Sequence, residues 1–328
     1  MRFFRLLLLI ISLGYFVSAN DDRPPIAYDF LAKKEVRAFV DMMVKKHGFE
    51  RSYIEGVLRG AKLDRDTLAR YTGKYKVGST NGPWERYKAH VLDEVTLEKA
   101  RVFKKRYKKT LERASKEYDV PVEYIVGFIG VESKFGEYTG DYRVLDALAT
   151  LAFHHNRMQK FFKNELIYLF IVSKEQGYDI TKLQGSFAGA MGCVQQVPSV
   201  FRKFGMDYNK DGVKDPWDLE DCIGIIARFM HQNGWRNDRC VAVRTNFKEK
   251  RYRGITPTHK TKYSIKTLQK NGLYAIEPFN ENSAYLLRLR NDTHDEVWLG
   301  GANFRVLTRY NNAATYGMAI HLIAEAVK

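Results

Sequence analysis

Three cysteines in 328 residues are too few for a disulfide scaffold. Cys193, Cys222 and Cys240 have no metal-ligand spacing, and no C-x-x-C occurs. In an oxidising compartment one pair forms and one thiol stays free, with Cys222 and Cys240 the expected couple. Cys193 has no histidine nearby in sequence, which argues against a cysteine nucleophile. After the first twenty residues no stretch approaches the roughly 18 unbroken apolar residues of a membrane span. The zinc pair H-E-x-x-H and the nucleophile turn G-x-S-x-G are also missing. Internal repeats and low-complexity tracts are absent too. Gly185, Gly189 and Gly192 lie close together, but the Lys-Ser/Thr that ends a phosphate loop does not follow them.

What is present is ordinary globular composition: 45% hydrophobic and 28% charged residues, enough chain for two or so domains and a sizeable core. Aromatics are abundant, with 20 Tyr and 20 Phe, most of them expected in the core. Residues 1–19 read as a secretory signal. Arg2 and Arg5 give the positive start, Leu6 to Leu13 the short apolar core, and Val17-Ser18-Ala19 the small-residue cleavage pattern. The first cysteine is Cys193, so a lipid-modified mature N-terminus is not expected. The formal charge of +16 falls to +14 when Arg2 and Arg5 leave with the signal. Export makes nucleic acid a poor partner for so basic a chain and favours an anionic polymer of the envelope, such as peptidoglycan with its peptide carboxylates. The expected location is the periplasm or cell envelope.

The pattern along the chain is mainly helical. Residues 20–32 read as a loose polar lead, and 33–72 as helices broken at Gly48 and Gly60. Residues 73–84 read as a loop. One long helix is expected over about 92–118, with Phe103, Tyr107, Leu111, Ala114 and Tyr118 on one stripe. Further helices are expected over 121–136, 144–176 and 218–233, with His154 and His155 structural. Short β-branched or alternating runs at 240–245, 272–277, 284–290, 295–299 and 304–308 suggest a small β-rich module, and a helix ends the chain. The expected organisation is a signal (1–19), an N-terminal helical region (20–118), a catalytic core (119–237), a β-rich module (238–302) and a C-terminal helix returning to the core (303–328).

Two stretches carry chemistry. In VPVEYIVGFIGVESKFG, residues 120–136, an apolar helix beginning near Pro121 ends on one carboxylate, Glu132. Desolvation disfavours the charged form, so the Glu132 pKa should rise, as a general acid near neutral pH requires. In DYNKDGVKDPWDLED, residues 207–221, Asp207, Asn209, Asp211, Gly212 and the Val213 carbonyl fall at positions 1, 3, 5, 6 and 7 of an EF-hand loop. Hard oxygen ligands suit Ca²⁺, and Asp215, Asp218 and Asp221 compete for the closing position.

These stretches occur in order with VLDALATLAF (144–153), GSFAGAMG (185–192) followed by Gln195 and Pro198, KTKYSI (261–266) and NFRVLTRYN (303–311). Together they closely resemble the membrane-bound lytic murein transglycosylase B family, from about residue 85 to the C-terminus. The resemblance implies a lysozyme-like α-helical catalytic domain that cleaves the β-1,4 bond between N-acetylmuramic acid and N-acetylglucosamine. Glu132 matches the family's acid/base. Ser186, Gln195, Tyr310 and Asn311 match residues lining the sugar cleft. Arg157 stands where relatives often carry two adjacent arginines that grip peptide carboxylates; here Met158 follows it. Asp207, Asn209, Asp211, Val213 and Asp221 match the Ca²⁺ ligands, and no organic cofactor is implied. Cys193 and Gln196 take positions where aromatics are common. Two other readings stand beside this one: a hydrolytic muramidase on the same fold, and a non-catalytic, Ca²⁺-braced peptidoglycan-binding protein.

Overall fold

The computed structural model describes residues 24–72 and 83–328. The signal at 1–19 and most of the loop at 73–84 lie outside the described residues. In chain order the first elements are β1 (Ile26–Ala27), α1 (Lys34–His47), α2 (Arg51–Arg59), β2 (Lys62–Leu63) and α3 (Arg65–Tyr71). Then come α4 (Trp84–Val91), α5 (Glu94–Arg106), α6 (Lys108–Tyr118), α7 (Val122–Ser133), β3 (Tyr142–Arg143), α8 (Val144–Phe153) and α9 (Gln159–Gln176). The last are β4 (Gln184–Gly185), α10 (Pro198–Phe204), α11 (Leu219–Gln232), β5 (Ala242–Arg244), β6 (Thr258–Ser264), α12 (Ile265–Lys270), β7 (Ser283–Arg290), β8 (Asp295–Gly300), α13 (Ala302–Tyr310) and α14 (Ala314–Ala326).

The described residues sort into two compact units. One holds 83–137 and 222–328, the other 24–72 and 138–221. In the first, α7 is apolar nearly all round and buried, as such a helix must be. It lies tight against α14: a Cβ at Gly127 would stand 2.7 Å from the Ile320 carbonyl oxygen, so only glycine permits this approach. The same unit carries a four-stranded antiparallel sheet in the order β5-β8-β7-β6, with Leu286 opposite Leu299 and Leu287 opposite Trp298. Its inner face packs Val243, Leu268, Leu286, Val297 and Leu299 into one core.

In the second unit every residue of α8 is buried. Its two polar side chains are used to pin β2 and the start of α3. Asp146 accepts the Lys62 N–H at 2.7 Å and the Arg143 Nε at 2.8 Å, and Thr150 Oγ1 accepts the Asp64 N–H at 2.9 Å.

Several expectations are corrected. Residues 24–32 are not loose: Phe30 is fully buried with its ring 6.2 Å from Phe153, and Tyr28 meets His154 edge-on at 5.1 Å. The helix expected over 92–118 breaks at Tyr107, whose backbone leaves the helical region while its ring stays 4.8 Å from Phe103. The run 304–308 is helical within α13. Its buried residues Asn303, Phe304, Val306, Leu307, Thr308 and Tyr310 include the helical steps 303–307, 304–308 and 303–306–310, which a five-residue alternation could not distinguish from a strand. Residues 272–277 form a turn and a single bridge, Thr245 to Ala275, with Tyr274 and Ile276 exposed. The expected Cys222–Cys240 couple does not form. Cys240 is a free thiol. Which thiols meet is set by tertiary proximity.

Candidate active site

In the first unit, Glu132 stands one residue before the end of α7 and is 4% exposed. The helix is ended by Lys134 and Phe135, both with positive φ, and Ser133 Oγ accepts the Gly136 N–H at 3.0 Å. Tyr316, on the first turn of α14, donates its phenolic hydrogen to Glu132 Oε1. Burial pushes the Glu132 carboxyl up to about 8, and the Tyr316 bond pulls the other way. The carboxyl is therefore protonated at neutral pH. Burial first, and the neighbouring Glu132 charge second, push the Tyr87 and Tyr316 phenols upward, so both remain donors throughout the working range.

Aromatic rings fix this carboxyl's surroundings. Phe128, one helical turn before Glu132, meets Tyr310 edge-on at 4.7 Å and Tyr316 at 6.0 Å, and Phe229 closes on Tyr310 at 4.8 Å. Asn311, which ends α13, is 2% exposed, and its Nδ2 has no hydrogen-bond partner among the described residues. A buried donor left unpaired costs about 1–3 kcal/mol, which a ligand's acceptor would recover.

The other carboxylates near Glu132 in sequence are engaged elsewhere. Glu137 pairs with Lys99 on the surface, Asp141 accepts from Tyr138, and Asp146 is held by Arg143 and the Lys62 N–H.

In the second unit the turn at 185–196 carries two expected site residues. Ser186 Oγ accepts from the Ala188 and Ala190 N–H groups at 3.3 and 3.1 Å. Gln195 takes a positive φ, and its Nε2 donates to the Thr139 and Gly192 carbonyls, both at 2.8 Å. With its N–H groups so used, the amide oxygen is the atom it can offer a ligand. Gly192 makes the turn possible: its φ is +65°, and a Cβ there would lie 1.8 Å from the Pro216 carbonyl oxygen. Gln196 is buried with neither amide atom partnered among the described residues, so it adds no stacking surface. Arg157 is exposed, its guanidinium 5.3 Å over the Tyr71 ring.

The acidic loop also lies in the second unit. Asp207 accepts the Asp211 and Gly212 N–H groups, Asn209 Oδ1 that of Asp211, and Asp211 Oδ1 that of Val213. Asp218 caps α11 through Glu220 and Asp221, and Asp215 holds the Trp217 N–H. Asp221 is the acid folded back onto the loop's beginning. Its carboxylate accepts from Tyr208 and Asp215 at 2.6 and 2.8 Å and from Asn209 at 3.2 Å. Burial pushes that carboxyl above the usual range, and these backbone bonds act against it. The donors suit a hard divalent cation in kind. Among the described residues no group of three or more His, Cys, Asp or Glu is gathered at metal spacing, so Asn209 and the Val213 carbonyl would have to help complete any shell.

Sequence reasoning missed Tyr316 and Tyr87. Tyr316 lies 184 residues from Glu132, and the available signal was a tyrosine beside Gly317 at the start of an otherwise apolar helix.

A helical, lysozyme-like fold with a buried, proton-bearing carboxyl at a helix end defines a class of glycan-cleaving enzymes. Residues 31–325 match the Transglycosylase SLT domain family model, and the chain belongs to that family. It is 36% identical over 321 residues to membrane-bound lytic murein transglycosylase B of Escherichia coli K12, covering 96% of this chain and 88% of that protein. The structure of the Escherichia coli lytic transglycosylase Slt35 in complex with calcium is similar, with a TM-score of 0.84 and 36% identity over 95% of this chain and 98% of that one. The soluble lytic transglycosylase SltB1 of Pseudomonas aeruginosa has a TM-score of 0.79 and 32% identity over 89% of this chain and 98% of that one.

Proposed function

We propose that the chain, a peptidoglycan lytic transglycosylase, cuts the MurNAc–GlcNAc β-1,4 bond without water, with Glu132 as acid and then base. The observation that carries this reading is the Glu132 carboxyl, buried and held by Tyr316, with burial pushing its pKa up to about 8. Protonated Glu132 donates to the bridging oxygen as the C1–O bond breaks. The muramyl N-acetyl oxygen bonds to C1 and gives an oxazolinium-like ring. The carboxylate then takes the proton of the sugar's 6-hydroxyl, whose oxygen displaces the acetamido oxygen from C1. A 1,6-anhydro ring closes and Glu132 regains its proton. A hydroxyl of the same sugar, held in line, has high effective molarity, so water need not compete. Pairs of carboxylates serve most glycosidases; the engagement of Glu137, Asp141 and Asp146 in other contacts favours a one-carboxyl route.

Ser186, the Gln195 amide oxygen, Tyr310 and the unpaired Asn311 amide are assigned to orienting the sugar ring and its acetamido group, and Arg157 to a peptide carboxylate. Mass spectrometry of digested sacculi tests the reaction. Anhydro ends, lighter than reducing ends by one water, are expected; reducing ends alone would identify a hydrolytic muramidase.

Calcium is assigned to Asp207, Asn209, Asp211, Asp221 and the Val213 carbonyl, where it would brace the loop and take no part in bond cleavage. That the structure of the relative Slt35 is a complex with calcium supports a calcium-binding reading. Saturating Ca²⁺ should raise Tm by several degrees, since a ligand at 100 times its Kd stabilises by about 2.7 kcal/mol. Asp211→Ala should show no such rise, and chelator should reverse it in the wild type. Equal melting with and without Ca²⁺ would remove the assignment.

The N-terminal signal pattern assigns the chain to the periplasm or cell envelope. Among the described residues no helix is long and apolar enough to cross a membrane.

A further inference from the structure

Helix α9 is apolar on two sides. One stripe, Phe162, Leu166, Leu169 and Phe170, is buried inside the second unit. The opposite stripe, Ile167, Tyr168 and Ile171, is only half-buried and floors a cavity of about 690 Å³. Phe49, between α1 and α2, completes the floor. The rim carries three cations, Lys46 near the end of α1, Lys174 from α9 and Arg202 from α10, together with His47, Asn164 and the acid Glu175.

The rim charges are not equivalent. Arg202 is neutralised by Glu175, with Nη2–Oε1 at 2.7 Å and Nε–Oε2 at 3.0 Å. Lys174 Nζ stands 4.9 Å from the centre of the Phe49 ring. Lys46 and Lys174 are exposed and form no ion pair among the described residues. The volume suits a short ligand segment. Ser186, Gln195 and Arg157 do not line it, so it is separate from the sugar-binding residues of this unit.

The chemistry of the walls limits the occupant. Phe49, Ile167 and Ile171 offer a neutral glycan no donor or acceptor, and the polar groups stand on the rim, three of them cations. Cations above an apolar floor match an extended segment that carries carboxylates and small aliphatic side chains. We propose that this groove is a second binding site, holding a stem peptide of peptidoglycan with its carboxylates on Lys46 and Lys174. The proposal deepens the peptidoglycan reading and rests on it. Each exposed charge contact is weak, but a sacculus presents many peptides, so repeated engagement raises retention.

The test is binding of Glu132→Gln protein, which leaves the polymer intact, to purified sacculi with and without the added pair Lys46→Glu and Lys174→Glu. An otherwise identical control carries Lys105→Glu and Lys109→Glu, exposed positions of α5 and α6, so that net charge is matched. The groove pair should weaken binding to sacculi by about tenfold, the scale of two surface charge contacts, and the control pair by less than twofold. On glycan strands stripped of peptides by an amidase, all three proteins should bind alike. With Glu132 restored, the groove variant should cleave stripped strands at the wild-type rate, which also shows that it is folded. Equal losses in both charge pairs, or a groove loss that persists on stripped strands, would overturn the proposal. So would a groove variant that loses binding to phosphatidylglycerol vesicles but not to sacculi, which would assign the groove to a membrane surface. Wild-type cleavage of sacculi without any groove effect would sink this proposal and leave the catalytic reading standing.

Discussion

Glu132→Gln should lower the release of anhydro-ended muropeptides by roughly 10³-fold, within the 10²–10⁴ that positioned acid–base groups contribute. The amide keeps the size of the side chain and can neither give up nor recover a proton. Binding to sacculi should persist. The wild-type rate should fall along an alkaline limb with its midpoint near 8, where the Glu132 carboxyl loses its proton. A variant with near wild-type turnover would remove Glu132 from the chemistry.

The same substitution has a stability signature of definite sign. The folded carboxyl holds its proton up to about 8, and an unfolded glutamic acid loses it near 4.5. Between those values the folded state binds the extra proton, so stability falls as pH rises. The contribution is complete below about pH 4.5 and is lost by the time pH passes 8; its size is on the order of 5 kcal/mol. Glutamine does not titrate. The wild type should therefore lose Tm relative to Glu132→Gln between pH 5 and pH 8, and parallel Tm curves would contradict the burial of a protonated acid.

Tyr316→Phe is the second large effect. It removes the hydroxyl that donates to Glu132 Oε1 and leaves the ring packed edge-on to Phe128. Hydrogen bonds to charged groups contribute about 1.5–3 kcal/mol, and this one favours the ionised carboxyl. Its loss should move the alkaline midpoint up by about one unit or more. The rate should drop about tenfold or more as the carboxyl loses its orientation, with KM changed less than twofold. A rate loss with an unmoved midpoint would mean that Tyr316 acts through packing alone.

The acid itself was legible because its signal is local. An unbroken apolar helix ending on one carboxylate predicts desolvation, and desolvation raises the pKa whatever the rest of the fold does. The loop at 207–213 was legible for the same reason, since alternating oxygen side chains and a glycine bend are encoded within seven residues. What surrounds the acid was not. Tyr316 reaches Glu132 from the other end of the molecule's sequence, and Asn311 shows its unpaired amide only once α13 and its neighbours are packed.

The sequence by itself determined which residue types stand at each short-range position: the helical periods, the breaks at Gly48 and Gly60, the buried glutamate and the acidic turn. These depend on interactions within a few residues, so one-dimensional patterns suffice. Only the tertiary structure decided that Cys240 stays a free thiol, that 304–308 is helix rather than strand, and that Gly127 lets α14 come close enough to lay Tyr316 on the Glu132 carboxyl. Those outcomes turn on which distant surfaces bury each other, and burial is a property of the packed chain, not of any window along it.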